Sequence, residues 1–147
     1  MVRLGTIDDI PRCIELSHNF YKHTEYAEHI PLCENTCATH LATSIEQDLL
    51  AVFESDGVIQ GFAMALAFPC LMNADYLVGA EVAWWVEPDH RGTSGVKILR
   101  FLEGKAKEKG IKLWSMMLLE AVEPEKVARI YEACGYTPAE RTFLKVL

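Results

Sequence analysis

The sequence predicts an α/β domain built on a mixed sheet, and three observations lead to that fold class. Apolar runs typical of strands recur along the chain, and segments with apolar residues at helical spacing lie between them. The predicted order is hairpin strands, then strand–helix–strand, then helix–strand, which is typical of α/β proteins. Half of the residues are hydrophobic, so one domain spanning residues 1–147 can bury a core.

The first elements predicted are a short strand and an amphipathic helix. Val2–Leu4 is the strand, and the helix that follows has Pro11 in its first turn and runs to about Tyr21. Residues 20–40 combine aromatic side chains, histidines and two cysteines and favour no single element. We expect a second helix over Ala38–Gln47.

A hairpin and a third strand are predicted next. Leu49–Glu54 and Val58–Ala67 flank Ser55-Asp56-Gly57, which is a strong hairpin signal. We expect Asn73–Gly79 to form a loop and Ala80–Val86, rich in Val and Trp, to form a strand.

The rest of the chain predicts two more helices and two more strands. A helix is expected from about Gly95, with Gly110 just beyond its C-terminus. Ile111–Leu119 is predicted as a buried strand and Pro124–Cys134 as a helix. Arg141–Leu147 is expected to close the sheet as its final strand.

Charge is distributed unevenly along the chain. The net charge of −7 gives no electrostatic support for nucleic-acid binding. No Lys or Arg lies between Lys22 and Arg91, an interval that holds eleven carboxylates, whereas seven of the fourteen basic residues lie between Arg91 and Lys112. One region should therefore attract cations and the other anions. The alternative is a generally acidic protein with one ordinary lysine-rich helix face.

The cysteine content and the hydropathy of the chain indicate the cellular compartment in which the protein is expected. Five cysteines at irregular spacing predict free thiols of a reducing compartment. Cys33 and Cys37 are the only close pair, and no set of residues at zinc-like spacing completes four ligands, so no metal is predicted. The most apolar stretch, Gly61–Met72, is too short to span a bilayer. Without a signal-peptide hydrophobic region, a cytoplasmic protein with no membrane partner is expected.

A turn of small residues joins the strand that ends at Val86 to the next helix, and it predicts an anion site. The first N–H groups of a helix have no intrahelical partner, and the helix dipole places partial positive charge there. Lys97 and Arg100 lie in the first turns and would either meet phosphates or form a solvated face. The candidate ligands for a phosphate or pyrophosphate are Arg91, Gly92, Thr93, Ser94, Gly95, Val96 and Lys97.

Three segments match a known pattern in order and spacing. They are Arg3–Pro11, the run Val86-x-Pro88-x-x-Arg91-Gly92, and Ala128–Tyr136. Over essentially its whole length the chain resembles the GNAT superfamily of acetyl-coenzyme A-dependent N-acetyltransferases. These segments are similar to that family's first strand and helix start, its pyrophosphate signature and its late helix. The resemblance implies a largely antiparallel central sheet of six to seven strands flanked by about four helices, with acetyl-CoA as co-substrate.

One departure from the family signature concerns the turn. The usual run continues Arg-x-x-Gly-x-Gly/Ala, but Ser94 and Val96 occupy those glycine positions here, with Gly95 between them. Either the turn is shifted in register by one residue, or its pyrophosphate contacts differ. We expect binding to survive because Ser94 still offers its N–H, whereas a Val96 side chain directed into the turn would weaken it.

The resemblance also implies which residues carry the chemistry. A tyrosine of the late helix often protonates the leaving thiolate in this family, and Tyr131 matches it; the alternative is an ordinary packed helix tyrosine. Glu81 is the preferred base. Strand alternation predicts that it shares a face with Ala83 and Trp85, where burial would raise its pKa; a solvent-exposed strand-end glutamate is the alternative.

Other groups compete for the role of base or complete the site. Glu120 is the competing carboxylate, and the loop histidines His23, His29 and His40 stay open as substrate-side bases. The resemblance implies that the strand ending at Trp85 and Val86 splays from the next strand. Its free N–H and C=O groups would then bind the pantetheine arm, and the Val86 N–H would polarise the thioester carbonyl.

The acceptor is expected to be a small-molecule primary amine. In the family it lies against the first two helices and the central strands, here residues 20–47 and 65–85. Beyond Lys22 these residues belong to the interval without Lys or Arg, so a small cationic amine fits the negative electrostatic field expected there. Two alternatives remain: a non-catalytic acyl-CoA-binding module, and an acetyltransferase acting on a protein or peptide. A homodimer is common for such folds, although no residue here demonstrates one.

Overall fold

Five strands form one mixed sheet in the computed structural model, which describes residues 1–147. The strands lie in chain order, with antiparallel pairs up to the fourth strand and a parallel pair between the fourth and fifth. The mixed, largely antiparallel sheet is confirmed, but the expected six to seven strands are wrong, because five are present. The strands are β1 (Val2–Leu4), β2 (Leu50–Ser55), β3 (Val58–Cys70), β4 (Asn73–Val86) and β5 (Leu113–Ser115).

Four helices flank the sheet, as expected. They are α1 (Ile10–Tyr21), α2 (Glu34–Glu46), α3 (Thr93–Glu108) and α4 (Pro124–Ala133). Pro11 lies in the first turn of α1, where its missing N–H has no intrahelical acceptor to lose. Gly110, with φ +73°, follows the end of α3 and supplies the left-handed conformation that terminates many helices. The second helix begins at Glu34 rather than at the predicted Ala38.

Three strand predictions differ from the structure. Asn73–Gly79, expected as a loop, belongs to β4, because pairing with β3 overrides the low strand propensity of its polar residues. The predicted strand Ile111–Leu119 shortens to Leu113–Ser115 and is not buried. Arg141–Leu147 forms no strand, because its backbone makes no hydrogen bond to any other strand.

The two faces of the sheet bury different helices. Alternate residues of β2 and β3 divide the core: Val52 and Phe62 pack on the side of α1 and α2, whereas Ala51 and Ala63 pack on the side of α3. Helix α3 buries one stripe, composed of Ile98, Leu99, Leu102 and Ala106. All five cysteines are free thiols. None of the four helices has the length and apolar character that a membrane span requires.

A partly buried ion pair closes the turn between β1 and α1. The Asp9 carboxylate accepts hydrogen bonds from Arg3 at 2.7 and 3.0 Å and from the Thr6 N–H at 2.8 Å. Arg3 also binds Glu54 of β2, so the pair ties the start of the chain to the sheet. The Arg3 hydrogen bonds hold the pKa of Asp9 below its usual value.

Candidate active site

A pocket opens where β4 and β5 separate. The two strands pair only from Val78–Leu113 to Ala80–Ser115, and β4 then continues to Val86 without a partner on that side. The predicted splay is therefore present. The pocket at this point is lined by Phe20, Glu81, Trp84, Met117, Leu119, Val122, Val127 and Tyr131.

A bulge in β4 directs Glu81 into this pocket. Met64 pairs with Ala83, but the next β3 residue, Ala65, pairs with Glu81, so Val82 has no partner. Because of this extra residue, the side chains N-terminal to Val82 point to the opposite face of the sheet from the one that strict alternation predicts. The predicted shared face of Glu81, Ala83 and Trp85 is therefore wrong, and Glu81 lies in the same pocket as Trp84.

The Glu81 carboxylate is buried without a cation. The residue is only 4% exposed, and its one hydrogen bond comes from the Met117 N–H, at 3.1 Å. Burial raises the pKa of Glu81 to about 7, and the Met117 N–H offsets part of that shift. At neutral pH this carboxyl group can therefore both take up and release a proton.

Tyr131 reaches the same pocket from α4. Its hydroxyl donates to the Met117 carbonyl oxygen at 2.6 Å, and its ring centroid lies 5.9 Å from that of Trp84. Burial raises the pKa of Tyr131 above its ordinary value, and the nearby Glu81 charge adds to the effect. The Met117 backbone thus holds both groups, because its N–H binds Glu81 and its C=O binds Tyr131.

Backbone pairing leaves the Val86 N–H free on the pocket side. The Glu87 N–H donates to the Gln60 carbonyl, which makes Glu87–Gln60 a hydrogen-bonded pair. The neighbouring pair, Val86 with Gly61, is then a non-hydrogen-bonded pair whose backbone groups point away from each other. The Val86 N–H consequently points toward the gap left by β5, and its carbonyl accepts from Arg91 Nε at 3.0 Å.

The start of α3 offers unpaired donors, as the sequence predicts. The N–H groups of residues 92–95 donate to no acceptor in the protein. Gly92 has φ +114°, and a Cβ built on it would meet no atom within 4 Å, so an anion can approach it closely. A Cβ on Gly95 would lie 2.8 Å from the Trp84 ring, so this glycine packs against the indole. These donors fit a pyrophosphate group.

Several predicted cofactor ligands have side chains engaged within the protein. Ser94 donates its hydroxyl to the His90 carbonyl oxygen, which leaves its N–H as the free donor. The Arg91 guanidinium lies 4.6 Å from the Trp85 ring centroid. Trp85 is itself buried in the core on the side of α1 and α2. Val96 is half-buried, and the exposed side chains at this helix start are those of Thr93, Lys97 and Arg100.

The competing bases lie elsewhere. Glu120 is exposed and does not line the pocket, and His29 and His40 are also exposed. His23 stacks on Trp85 with ring centroids 5.2 Å apart. Sequence reasoning missed Met117, because a role carried by the backbone leaves no signal in residue type.

Comparison with known proteins identifies the family to which this chain belongs. The model of the acetyltransferase (GNAT) family matches residues 12–136. A search of curated protein sequences found no match. An acetyltransferase of Trypanosoma brucei is similar in fold, with 22% identity, a TM-score of 0.73, and coverage of 100% of this chain and 99% of that chain.

Two further solved structures share the fold at lower identity. One is a predicted acetyltransferase of Clostridium acetobutylicum with acetyl-CoA, at 17% identity and a TM-score of 0.73, covering 100% of this chain and 95% of that one. The other is an aminoglycoside N-acetyltransferase in complex with CoA, at 14% identity and a TM-score of 0.74, covering 100% and 93%. With a family model that matches most of its length, the chain belongs to the GNAT acetyltransferase family and is an acetyl-CoA-dependent acetyltransferase.

Proposed function

We propose that the protein transfers acetyl from acetyl-CoA directly to a primary amine, with Glu81 as general base and Tyr131 as general acid. One observation carries the proposal. A buried carboxylate without a cation shares a pocket with a buried tyrosine hydroxyl at the point where the sheet opens. Strands that paired normally would leave no room for a thioester between these two groups.

The base step follows from the pKa of Glu81. Alkylamines titrate near the lysine value of about 10.4, so an acceptor arrives mostly protonated. Glu81, with a pKa of about 7, is largely ionised just above neutral pH and accepts a proton from the amine. The product is a neutral carboxyl group, which an apolar pocket stabilises relative to the carboxylate.

The acid step uses the electrostatic link between the two groups. The negative charge of Glu81 raises the pKa of Tyr131, so protonation of Glu81 makes Tyr131 a stronger acid. As nitrogen attacks the carbonyl carbon and the C–S bond breaks, Tyr131 gives its proton to sulfur. Glu81 then returns a proton to the phenolate, which restores both groups. An acceptor that arrives as an ammonium ion releases one further proton to solvent.

Backbone groups would bind acetyl-CoA. The N–H groups of residues 92–95 suit the pyrophosphate, and the unpaired edge of β4 suits the pantetheine arm. The free N–H of Val86 would polarise the thioester carbonyl, a contribution of the oxyanion-hole type. Thr93 and Lys97 are exposed beside the same turn, where they could contact phosphate.

The acceptor we propose is a small cationic amine. The chain has no Lys or Arg between Lys22 and Arg91. Glu25 and Glu28, in the segment between α1 and α2, are exposed and form no ion pair with a basic side chain. Tyr26, which is also exposed there, adds an aromatic surface suited to a cation.

Thermal unfolding with acetyl-CoA, followed by thiol release with a panel of amines, tests the proposal. Binding to the native state should raise Tm, and polyamines or aminoglycosides should release CoA faster than an anionic amine such as glutamate. Turnover of the anionic amine alone would overturn the acceptor class. Turnover of peptides alone would make the acceptor a protein. Binding without release from any amine would contradict amine acetylation.

A further inference from the structure

The indole of Trp84 packs against two helices at the wall of the active-site pocket. In the first turn of α3, a Cβ built on Gly95 would lie 2.8 Å from the indole ring. In α4, the Tyr131 ring has its centroid 5.9 Å from that of Trp84. Trp84 also lines the pocket that contains Glu81. The position of this indole therefore limits how far the pocket extends toward α3.

Gly95 is the glycine that this packing requires. The family signature would place glycine at 94 and glycine or alanine at 96, but Ser94 and Val96 stand there. At residue 95 a Cβ would come closer to the indole than side chains approach one another in proteins, so only glycine fits beside Trp84. The displaced glycine of this turn and the indole are consequently a matched pair.

The pocket bounded by Trp84 is small and mainly apolar. Its volume is about 60 Å³. An apolar cavity of about 150 Å³ binds benzene, which has six non-hydrogen atoms, so in proportion this pocket holds about two to three. An acetyl group has three. Seven of the eight lining residues are hydrophobic, and such a pocket separates chains that differ by one methylene about 10–200-fold.

We propose that Trp84, held in place by Gly95, restricts the acyl donor to acetyl-CoA. The inference rests on the proposed function, in which the thioester lies between Glu81 and Tyr131. A butyryl chain placed there would need the space that the indole occupies. The indole cannot move toward α3 to make room, because the backbone at Gly95 already lies against it. Trp84 is thus a specificity-determining residue, and Gly95 acts through it.

Trp114 provides a matched control within the same chain. Its ring also lies against a glycine, since a Cβ built on Gly79 would be 2.8 Å away. The indole nitrogens of Trp84 and Trp114 are both buried without a hydrogen-bond partner. Trp114 does not line the pocket, however. Replacing either tryptophan by leucine therefore removes similar packing, but only one replacement enlarges the pocket.

Titration calorimetry of the 147-residue chain with acetyl-CoA, butyryl-CoA and free CoA tests the proposal. Wild type and Trp114→Leu should bind butyryl-CoA at least about tenfold more weakly than acetyl-CoA. In Trp84→Leu the two Kd values should become nearly equal, because the longer chain fills the space left by the indole. A wild type that binds both acyl-CoAs equally, or a Trp84→Leu variant that keeps the preference, would overturn the proposal.

Gly95→Ala tests the pair from the other side and keeps the N–H group of residue 95. Its Cβ should push the indole into the pocket, which should raise the Kd for acetyl-CoA about tenfold and leave that for free CoA within a factor of two. Adding Trp84→Leu should restore the affinity for acetyl-CoA. Equal weakening of both ligands would place the damage at the pyrophosphate turn and contradict the role of Trp84.

These titrations are independent of the proton-transfer roles, because binding requires no acceptor amine. Normal acetyl-CoA binding without any dependence on acyl length would overturn the role of Trp84 and leave amine acetylation standing. Selectivity for the acetyl chain without thiol release from any amine would contradict the proposed function and support the role of Trp84.

Discussion

Asp9 and Glu81 are both buried carboxylates, yet their surroundings drive their pKa values in opposite directions. Asp9 is 8% exposed and Glu81 is 4% exposed. Asp9 accepts two hydrogen bonds from Arg3, which lower its pKa. Glu81 accepts one from a backbone N–H and meets no cation, so burial dominates and its pKa rises to about 7. Two carboxylates with little exposed surface therefore behave in opposite ways, according to the charge of the partner and to how deeply each group lies in the protein.

The difference separates a carboxylate that stabilises the fold, Asp9, from one whose pKa suits proton transfer near neutral pH, Glu81. The Asp9–Arg3 pair links β1, the first turn and β2, so its charge is held fixed and contributes to the fold. The charge on Glu81 is unfavourable in the folded state, and such groups concentrate at functional sites. Glu81 lies in the long interval without Lys or Arg, which is why no basic side chain near it in sequence compensates its charge.

The largest expected effect is on turnover. Glu81→Gln keeps the acceptor oxygen for the Met117 N–H but cannot accept a proton, so kcat should fall by about 10²–10⁴-fold. Steady-state thiol release with saturating acetyl-CoA measures it. Asp9→Asn, assayed at a temperature where it stays folded, is the matched control and should keep a wild-type kcat. An active Glu81→Gln enzyme would remove Glu81 from the mechanism.

The same pair of variants should move stability in opposite directions. The folded pKa of Glu81, about 7, exceeds the ordinary value of 4.5, so the native state binds the proton more tightly and wild-type stability falls as pH rises from about 4.5 to 7. Gln at this position does not ionise, so the stability of Glu81→Gln should not fall over this pH range. At pH 8 the variant should be more stable than wild type by about 3 kcal/mol, as 1.36 kcal/mol per pKa unit implies.

Asp9→Asn should instead lower the free energy of unfolding at neutral pH by about 2 kcal/mol, because it removes charged hydrogen bonds to Arg3. The stability that Asp9 contributes is present above its unfolded pKa and is lost as pH falls through its lowered folded pKa. Urea unfolding at pH 4 and pH 8 checks both variants. Equal shifts for the two would show that the carboxylates do not differ as described.

Removal of the Tyr131 hydroxyl should have a smaller kinetic effect than loss of the base. A thiolate can leave without full protonation, because thiols titrate near 8.5, so Tyr131→Phe should lower kcat by about 100-fold. The KM for acetyl-CoA should stay within a factor of two to three, because the unpaired N–H groups of residues 92–95 are untouched. A large rise in KM with an unchanged kcat would instead assign Tyr131 to binding.

The smallest effect expected is on the pH profile. Because Glu81 must be ionised to act as a base, kcat/KM should rise with pH and level off above about 7. At pH 6 the rate should be about tenfold below its plateau, since one pH unit is a factor of ten in ionised fraction. Asp9→Asn should leave the midpoint unchanged. A midpoint near 4.5 would mean that Glu81 is solvated in the working enzyme.

Residue types drew attention to Glu81 and to the small-residue turn at 92–95, and the resemblance to the GNAT superfamily drew attention to Tyr131. The structure places Glu81 and Tyr131 in one pocket, and their catalytic roles stay predictions. The direction of Glu81 could not be predicted, because a bulge at Val82 depends on pairing with β3 rather than on local propensity. The length of β4 was underestimated for the same reason, since a strand partner outweighs polar residues such as Asn73.

The run Arg141–Leu147 shows the limit of pattern reasoning most clearly. Arg141–Leu147 has the composition of a strand, but composition does not supply the neighbouring edge that a strand requires. The shortening of β5 has a related cause, because beyond Ser115 the backbone at Met117 bonds the side chains of Glu81 and Tyr131 instead of the backbone of β4. Both outcomes depend on long-range partners, which sequence periodicity does not contain.

The Met117 peptide groups have a consequence for how this site changes during evolution. Both bonds at residue 117 use main-chain atoms, so nearly any side chain there would preserve them, and only proline would delete the donor. Identity at this position can therefore drift while its function stays constant. A comparison that scores sites by shared side chains would overlook the residue that holds the proposed acid, Tyr131, and the proposed base, Glu81, in place.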